Sequence, residues 1–167
     1  KARYIGISGY PPGFLVRIAQ AVPVDAILNY CHYNLLVNDM DGQLAPFADE
    51  RGIGLINASP LHMGILTEQG APEWHPAPPE VRSAVRKASE FCQAHGADLS
   101  DIAVRFCLDY PNAATTLVGM STTQQVSRNL SALDGAPAPE IMREIEALLA
   151  PVHNTVWISG RAENNLP

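Results

Sequence analysis

Thr115-Thr116-Leu117-Val118-Gly119-Met120-Ser121-Thr122-Thr123 decides how this chain is to be read. A short strand-like run passes through a single glycine into the hydroxyl-bearing residues that start helices. Beyond the joint, Val126, Leu130 and Leu133 recur at helical spacing, which predicts a helix over Thr122 to Leu133. Strand, tight joint and helix form one unit. Working outward, the same order of elements recurs.

Toward the N-terminus, Tyr4-Ile5-Gly6-Ile7-Ser8, Val24-Asp25-Ala26-Ile27-Leu28-Asn29-Tyr30 and Ile53-Gly54-Leu55-Ile56-Asn57-Ala58 are short runs, apolar on both faces. Between them lie two helical stretches. Pro11-Pro12-Gly13 opens Phe14 to Val22, with Leu15, Ile18 and Ala19 on one face. Leu44 to Arg51 is closed by Gly52. A segment with three prolines and little periodicity, Ser59 to Ala77, reads as a long functional loop. Pro78-Pro79 start a helix through His95, stopped by Gly96. Ser100 is read as the cap of the next, which ends at Pro111. Pro139 suits the first turn of a last helix with an apolar stripe of Ile141, Ile145, Leu148 and Leu149. Pro151 stops it, and a polar tail runs to Pro167. The order is β-α-β-α-β-loop-α-α-β-α-α-tail, which argues for parallel strands covered by helices. An open doubly wound sheet and half of an eight-unit barrel both fit it.

Composition bounds the function. The chain has 167 residues, 47% apolar and 17% charged, enough for a core and about the size of one domain. A net charge of −6 without a basic cluster speaks against nucleic acid. No apolar run approaches the ~20 residues of a membrane helix. Cys31, Cys92 and Cys107 have no CxxC spacing and read as buried free thiols of a cytoplasmic protein. The chain opens Lys1-Ala2-Arg3, without Met, and enters a strand at once; we expect either trimming or the later part of something longer.

In both architectures, chemistry sits at the C-terminal ends of the strands. Those ends are Ser8-Gly9-Tyr10, Asn29-Tyr30-Cys31-His32-Tyr33, Asn57-Ala58-Ser59-Pro60-Leu61 and Gly119-Met120-Ser121. The last offers close backbone approach, hydroxyls and the unpaired N–H groups of a helix start. That is an anion site without a basic side chain, or else a plain Ser/Thr cap. His32 and His62 lie in strand-end loops, and His95 lies in a helix C-terminal turn where a cation is structural. No histidine has metal spacing, and HExxH, GxSxG and a strand-following GxGxxG are absent. Asp98, Asp101, Glu140, Glu144 and Glu146 read as solvated helix charges. The residues give an anion-binding face but no convincing acid, base or nucleophile.

Three segments in order carry a resemblance. They are Arg3-Tyr4-Ile5-Gly6-Ile7-Ser8, then Ala58-Ser59-Pro60-Leu61 with Gly64, then Val118-Gly119-Met120-Ser121-Thr122-Thr123-Gln124-Gln125-Val126-Ser127-Arg128-Asn129-Leu130. They resemble strands five, seven and eight of the aldo-keto reductases. Tyr30-Cys31-His32-Tyr33, Met63 to Gly70, Pro72-Glu73-Trp74-His75-Pro76 and Trp157-Ile158-Ser159-Gly160 point to the aldose 1-dehydrogenase branch. The resemblance implies a (β/α)₈ TIM barrel of which residues 1–167 supply units five to eight, a C-terminal helix and a tail, the N-terminal half being absent. It implies hydride transfer between the anomeric carbon of an aldose such as L-galactose and a nicotinamide, with the family's catalytic Asp, Tyr, Lys and His outside this chain. Another aldose, such as L-fucose or a D-threo-aldose, or an aldehyde such as pyridoxal, is the alternative.

By the same resemblance, Ser8 stands at the nicotinamide carboxamide, with Tyr30 in place of the usual glutamine and Asn29 as the other candidate. Ala58 stands where many members stack a tyrosine. Ser59, Pro60 and Leu61 line the pyrophosphate side, and Gly119, Met120 and Ser121 the adenosine phosphate. Asn129 meets adenine, with Arg128 replacing a glutamate, and Trp157 lines the sugar pocket or simply packs. Gln125 and Gly119 replace cations that pair with a 2′-phosphate, so NAD is expected over NADP. The half alone, with open sheet edges and an apolar face, is expected to be non-catalytic, and unstable or oligomeric.

Overall fold

A computed structural model describes residues 1–165. Its strands are β1 (Gly6–Gly9), β2 (Ala26–Tyr30), β3 (Gly54–Ala58) and β4 (Thr115–Leu117). Its α-helices are α1 (Pro12–Ala21), α2 (Leu44–Arg51), α3 (Pro79–Ala94), α4 (Leu99–Leu108), α5 (Thr123–Ser131) and α6 (Pro139–Leu149). All strand pairs are parallel, and the order across the sheet is β1-β2-β3-β4. A doubly wound sheet reverses its strand order at a switch point. Here each unit adds beside the last, the winding a barrel arc requires. The result is a partial α/β fold whose strand order shows no such reversal.

The sheet has two unlike faces. Ile27 and Leu55 point into a cluster with Leu15 and Ala19 of α1, Leu44 and Phe47 of α2, and Tyr110. A second cluster joins Val81, Val85, Ala88 and Cys92 of α3, Leu99, Ile102 and Ala103 of α4, and Ile145 and Leu149 of α6. Leu35, Leu36, Val37, Ile65 and Leu66 close it from the loops. On the opposite sheet face Ser8 is exposed and Leu28, Tyr30 and Ile56 are half-buried, with no layer of described residues over them. All three cysteines are buried and free.

Three readings need correction. The cap of α4 is Asp98, whose carboxylate accepts from the Ser100 N–H at 2.7 Å; Ser100 is itself buried inside the helix. The fifth helix stops at Ser131, and its stripe of Val126 and Leu130 faces outward, 41% and 59% exposed. Asp98 is not solvated: its side chain is 16% exposed and pairs with Arg128, and Asp101, 45% exposed, pairs with the same guanidinium at 2.5 Å, tying α5 to the start of α4. Glu140, Glu144 and Glu146 do lie on an exposed face.

Candidate functional site

Backbone strain collects where β2 and β3 end. Cys31, Ser59, His62 and Met63 are non-glycine residues with φ of 64°, 61°, 47° and 55°. Side chains disfavour that region, and proteins hold them there where surrounding contacts over-determine the path. The turn at Cys31 carries His32 inward, 2% exposed, with Nδ1 2.7 Å from the Asp39 carboxylate. The turn at Ser59 starts a cleft of about 480 Å³ between the loop after β3 and the loop after β4. Its walls include Ser59, Pro60, Leu61, Met63, Gly64, Gly119 and Gln125.

Two stretches far apart in sequence thus meet, and they hold five of the predicted cofactor residues: Ser59, Pro60, Leu61, Gly119 and Gln125. None of the described lining residues is charged. A Cβ on Gly119 would meet nothing within 4 Å, so the mouth is open there. Met120 and Ser121 continue along an exposed path into α5. Asn129, on α5, is half-buried beside Arg128. Ser8 and Tyr30 lie apart from this cleft, on the uncovered sheet face, with Tyr30 5.5 Å from the Tyr10 ring. Asn29 does not reach that face. It is fully buried on the helix side, and its Nδ2 donates to the Gly9 and Tyr10 carbonyls at 2.9 and 2.7 Å.

The start of α5 resolves the choice between anion site and cap in an instructive way. Thr122 Oγ1 accepts from the Gln125 N–H at 3.2 Å, and Gln125 Oε1 accepts from the Thr122 N–H at 3.2 Å, a full capping box. Oε1 also accepts from the Ser121 N–H at 2.7 Å. The helix therefore supplies its own acceptor. Among the described residues, the N–H groups of Thr123 and Gln124 are those left for an outside oxygen.

The loop from Ser59 to Ala77 is fixed by one guanidinium. Arg82 donates to the carbonyls of Ala77 (3.0 Å), Ala71 (3.2 Å), Pro72 (3.3 Å) and His75 (2.5 Å). His75 is buried; its Nε2–H donates to the His62 carbonyl at 2.9 Å while Nδ1 accepts from the Ala77 N–H at 3.0 Å. Burial lowers the pKa of His75, and Arg82 adds to the effect. Burial, with His75 and His32 nearby, pushes His62 down to about 3, so its ring is neutral. Trp157 of the tail lies over this group, stacked on Tyr10 at 5.4 Å and edge-on to His62 at 5.1 Å and His75 at 5.6 Å. It thus packs on the strand-end loops and also borders a cleft of about 390 Å³ with Tyr10, His32 and Asp39.

Sequence reading named the segments that hold Tyr10 and His75 without giving either residue a role, and it passed over Asp39 and Arg82. Tyr10 had a signal, since it directly follows a strand end. The others act only through partners brought close by folding. His95 is structural as expected, its Nδ1 2.8 Å from the Phe91 carbonyl. No group of three or more His, Cys, Asp or Glu among the described residues is placed to hold a metal ion. Nor is any described helix long and apolar enough to cross a membrane.

Comparison with known proteins agrees with this geometry. The family model described as the aldo/keto reductase family matches residues 1–150. L-galactose dehydrogenase of Arabidopsis thaliana is 42% identical over 172 residues, covering 98% of this chain and 53% of that protein. D-arabinose 1-dehydrogenase of Saccharomyces cerevisiae is 28% identical, covering 72% of this chain and 39% of its own length. L-glyceraldehyde 3-phosphate reductase of Escherichia coli O157:H7 is 26% identical, covering 94% and 52%. The chain spans about half the length of these curated relatives, or less. With a parallel sheet wound in sequence order and a family match over most of its length, the chain belongs to the aldo/keto reductase family.

Proposed function

We propose that these residues form the second half of a (β/α)₈ barrel that oxidises an aldose, L-galactose or a close relative, at its anomeric carbon with NAD. The observation that carries the reading is the uncharged cleft joining the Ser59-Pro60-Leu61 loop to Gly119 and Gln125. When bound there, the nicotinamide dinucleotide supplies the hydride-accepting carbon. The open mouth at Gly119 admits a backbone-close phosphate, and the free N–H groups of Thr123 and Gln124 are donors for its oxygens. Gln125 Oε1, already on two backbone N–H groups, keeps an acceptor at the place where a 2′-phosphate would need a cation. Ser8 and Tyr30, on the uncovered sheet face, are proposed for the carboxamide end, and Asn129 for the adenine. Proton transfer is assigned to the family's acid and base outside this chain, because Tyr30, the phenol on that face, stands at the carboxamide position.

The test uses the complete protein that carries these residues. Fluorescence titration should give tighter binding of NADH than of NADPH, and initial rates with a panel of aldoses should be highest for L-galactose or a sugar of like configuration. Tighter NADPH binding would overturn the cofactor assignment. Oxidation of D-arabinose, L-fucose or pyridoxal in preference would move the substrate within the same reaction class.

A further inference from the structure

The cleft of about 390 Å³ under the tail is separate from the neutral cleft of Ser59 and Gly119. Tyr10, His32, Asp39, Gln43 and Trp157 are among the residues that line it. Its volume lies within the roughly 300–1,000 Å³ of small-molecule sites. Tyr10 is 4% and His32 2% exposed, their rings 4.3 Å apart. His32 Nε2 is buried with no hydrogen-bond partner, and the buried Tyr10 hydroxyl has only the Trp157 backbone N–H beside it, which leaves its own proton uncommitted. Native proteins rarely leave such atoms unmet without something to fill the place.

The two atoms are complementary in a particular way. A carboxylate is an acceptor only, so Asp39 at 2.7 Å fixes the His32 proton on Nδ1. In the neutral ring Nε2 is then a lone-pair acceptor. Burial raises the Tyr10 pKa, which keeps its hydroxyl a donor. A donor and an acceptor on two rings 4.3 Å apart match one group that is both: an alcohol. The Trp157 indole and Pro11 border the same space with apolar surface, suited to the C–H face of a sugar ring.

We propose that Tyr10 and His32 form a hydroxyl-binding subsite for a neutral polyhydroxylated ligand, with Asp39 as the positioning residue that sets the His32 tautomer. Resting on the reading of the protein as an aldose dehydrogenase, this assigns the subsite to a substrate hydroxyl remote from the reacting carbon.

Tyr10→Phe removes the donor and keeps the ring that stacks on Trp157. Asp39→Asn, at a side chain 35% exposed, moves the His32 proton toward Nε2 and turns the acceptor into a donor. In the complete protein each should raise KM for the preferred aldose about tenfold, the weight of one hydrogen bond. The change in kcat should stay under twofold, and calorimetric titration of the aldose into the NADH-bound protein should show the same loss. NADH affinity should match wild type. For the deoxy-aldose lacking the bound hydroxyl, wild type and Tyr10→Phe should have the same KM. If wild type oxidises an aldose but both variants bind every aldose and deoxy-aldose as wild type does, water fills the subsite and this inference fails alone. If Tyr10→Phe does not fold, Asp39→Asn decides by the same criteria. If wild type neither binds nor oxidises any aldose, the dehydrogenase reading fails first.

Discussion

His62 links burial to pH. Its ring is held down to about 3 in the fold, against 6.5 in an exposed chain. Between those values the unfolded chain binds a proton that the folded one refuses, so stability rises with pH across the window. The contribution is complete above about pH 6.5 and is lost as pH falls toward 3. We expect the melting midpoint of the protein to fall between pH 7.5 and 5, and the slope to flatten in His62→Gln; an unchanged slope would assign the acid sensitivity elsewhere. Gln125 makes a second residue-level case. Gln125→Arg should raise NADPH affinity by about tenfold in fluorescence titration by supplying the missing cation. It should also cost about 1 kcal/mol of stability by breaking the capping box.

Individual elements differ in how far their own residues describe them. The helix Leu44–Arg51 was legible to the residue, because Gly52 adopts the left-handed φ of 64° that ends it, a local necessity. The last helix was legible too: its stripe is spaced for one face, and Ile145 and Leu149 are 0% and 1% exposed. Ile145→Ala should therefore cost about 2–5 kcal/mol in denaturant unfolding. The same periodicity misleads on α5, because spacing says which residues share a face and not what covers it. Asp98 displaced Ser100 as a cap because both can cap, and only the folded path decides. The cofactor segment was placed from resemblance, and five of its residues line one cleft. The tail cleft was legible in Trp157 and in the strand-end positions of Tyr10 and His32; Asp39, which completes it, joins them only through the folded path.

For the molecule as a whole, the uncovered sheet face and the outward stripe of α5 pose one question. Tyr4, Ile5, Leu117, Val126 and Leu130 are all more than 40% exposed. Residues 1–167 expressed alone should self-associate or bind a hydrophobic dye, read by sedimentation velocity and fluorescence. A monodisperse monomer that unfolds cooperatively would contradict this. The tail has a different bearing. Asn154 Oδ1 accepts from the Asn38 N–H at 2.8 Å and its Nδ2 donates to Asn38 Oδ1 at 3.0 Å, while its own N–H donates to the Leu36 carbonyl at 2.8 Å. This clasp joins residues 116 apart in sequence, after every strand and α-helix among the described residues. Closing so long a loop costs entropy that only prior assembly offsets. The tail therefore docks late in folding, and a refolding chain passes through a stage in which its strand-end loops stand open to solvent.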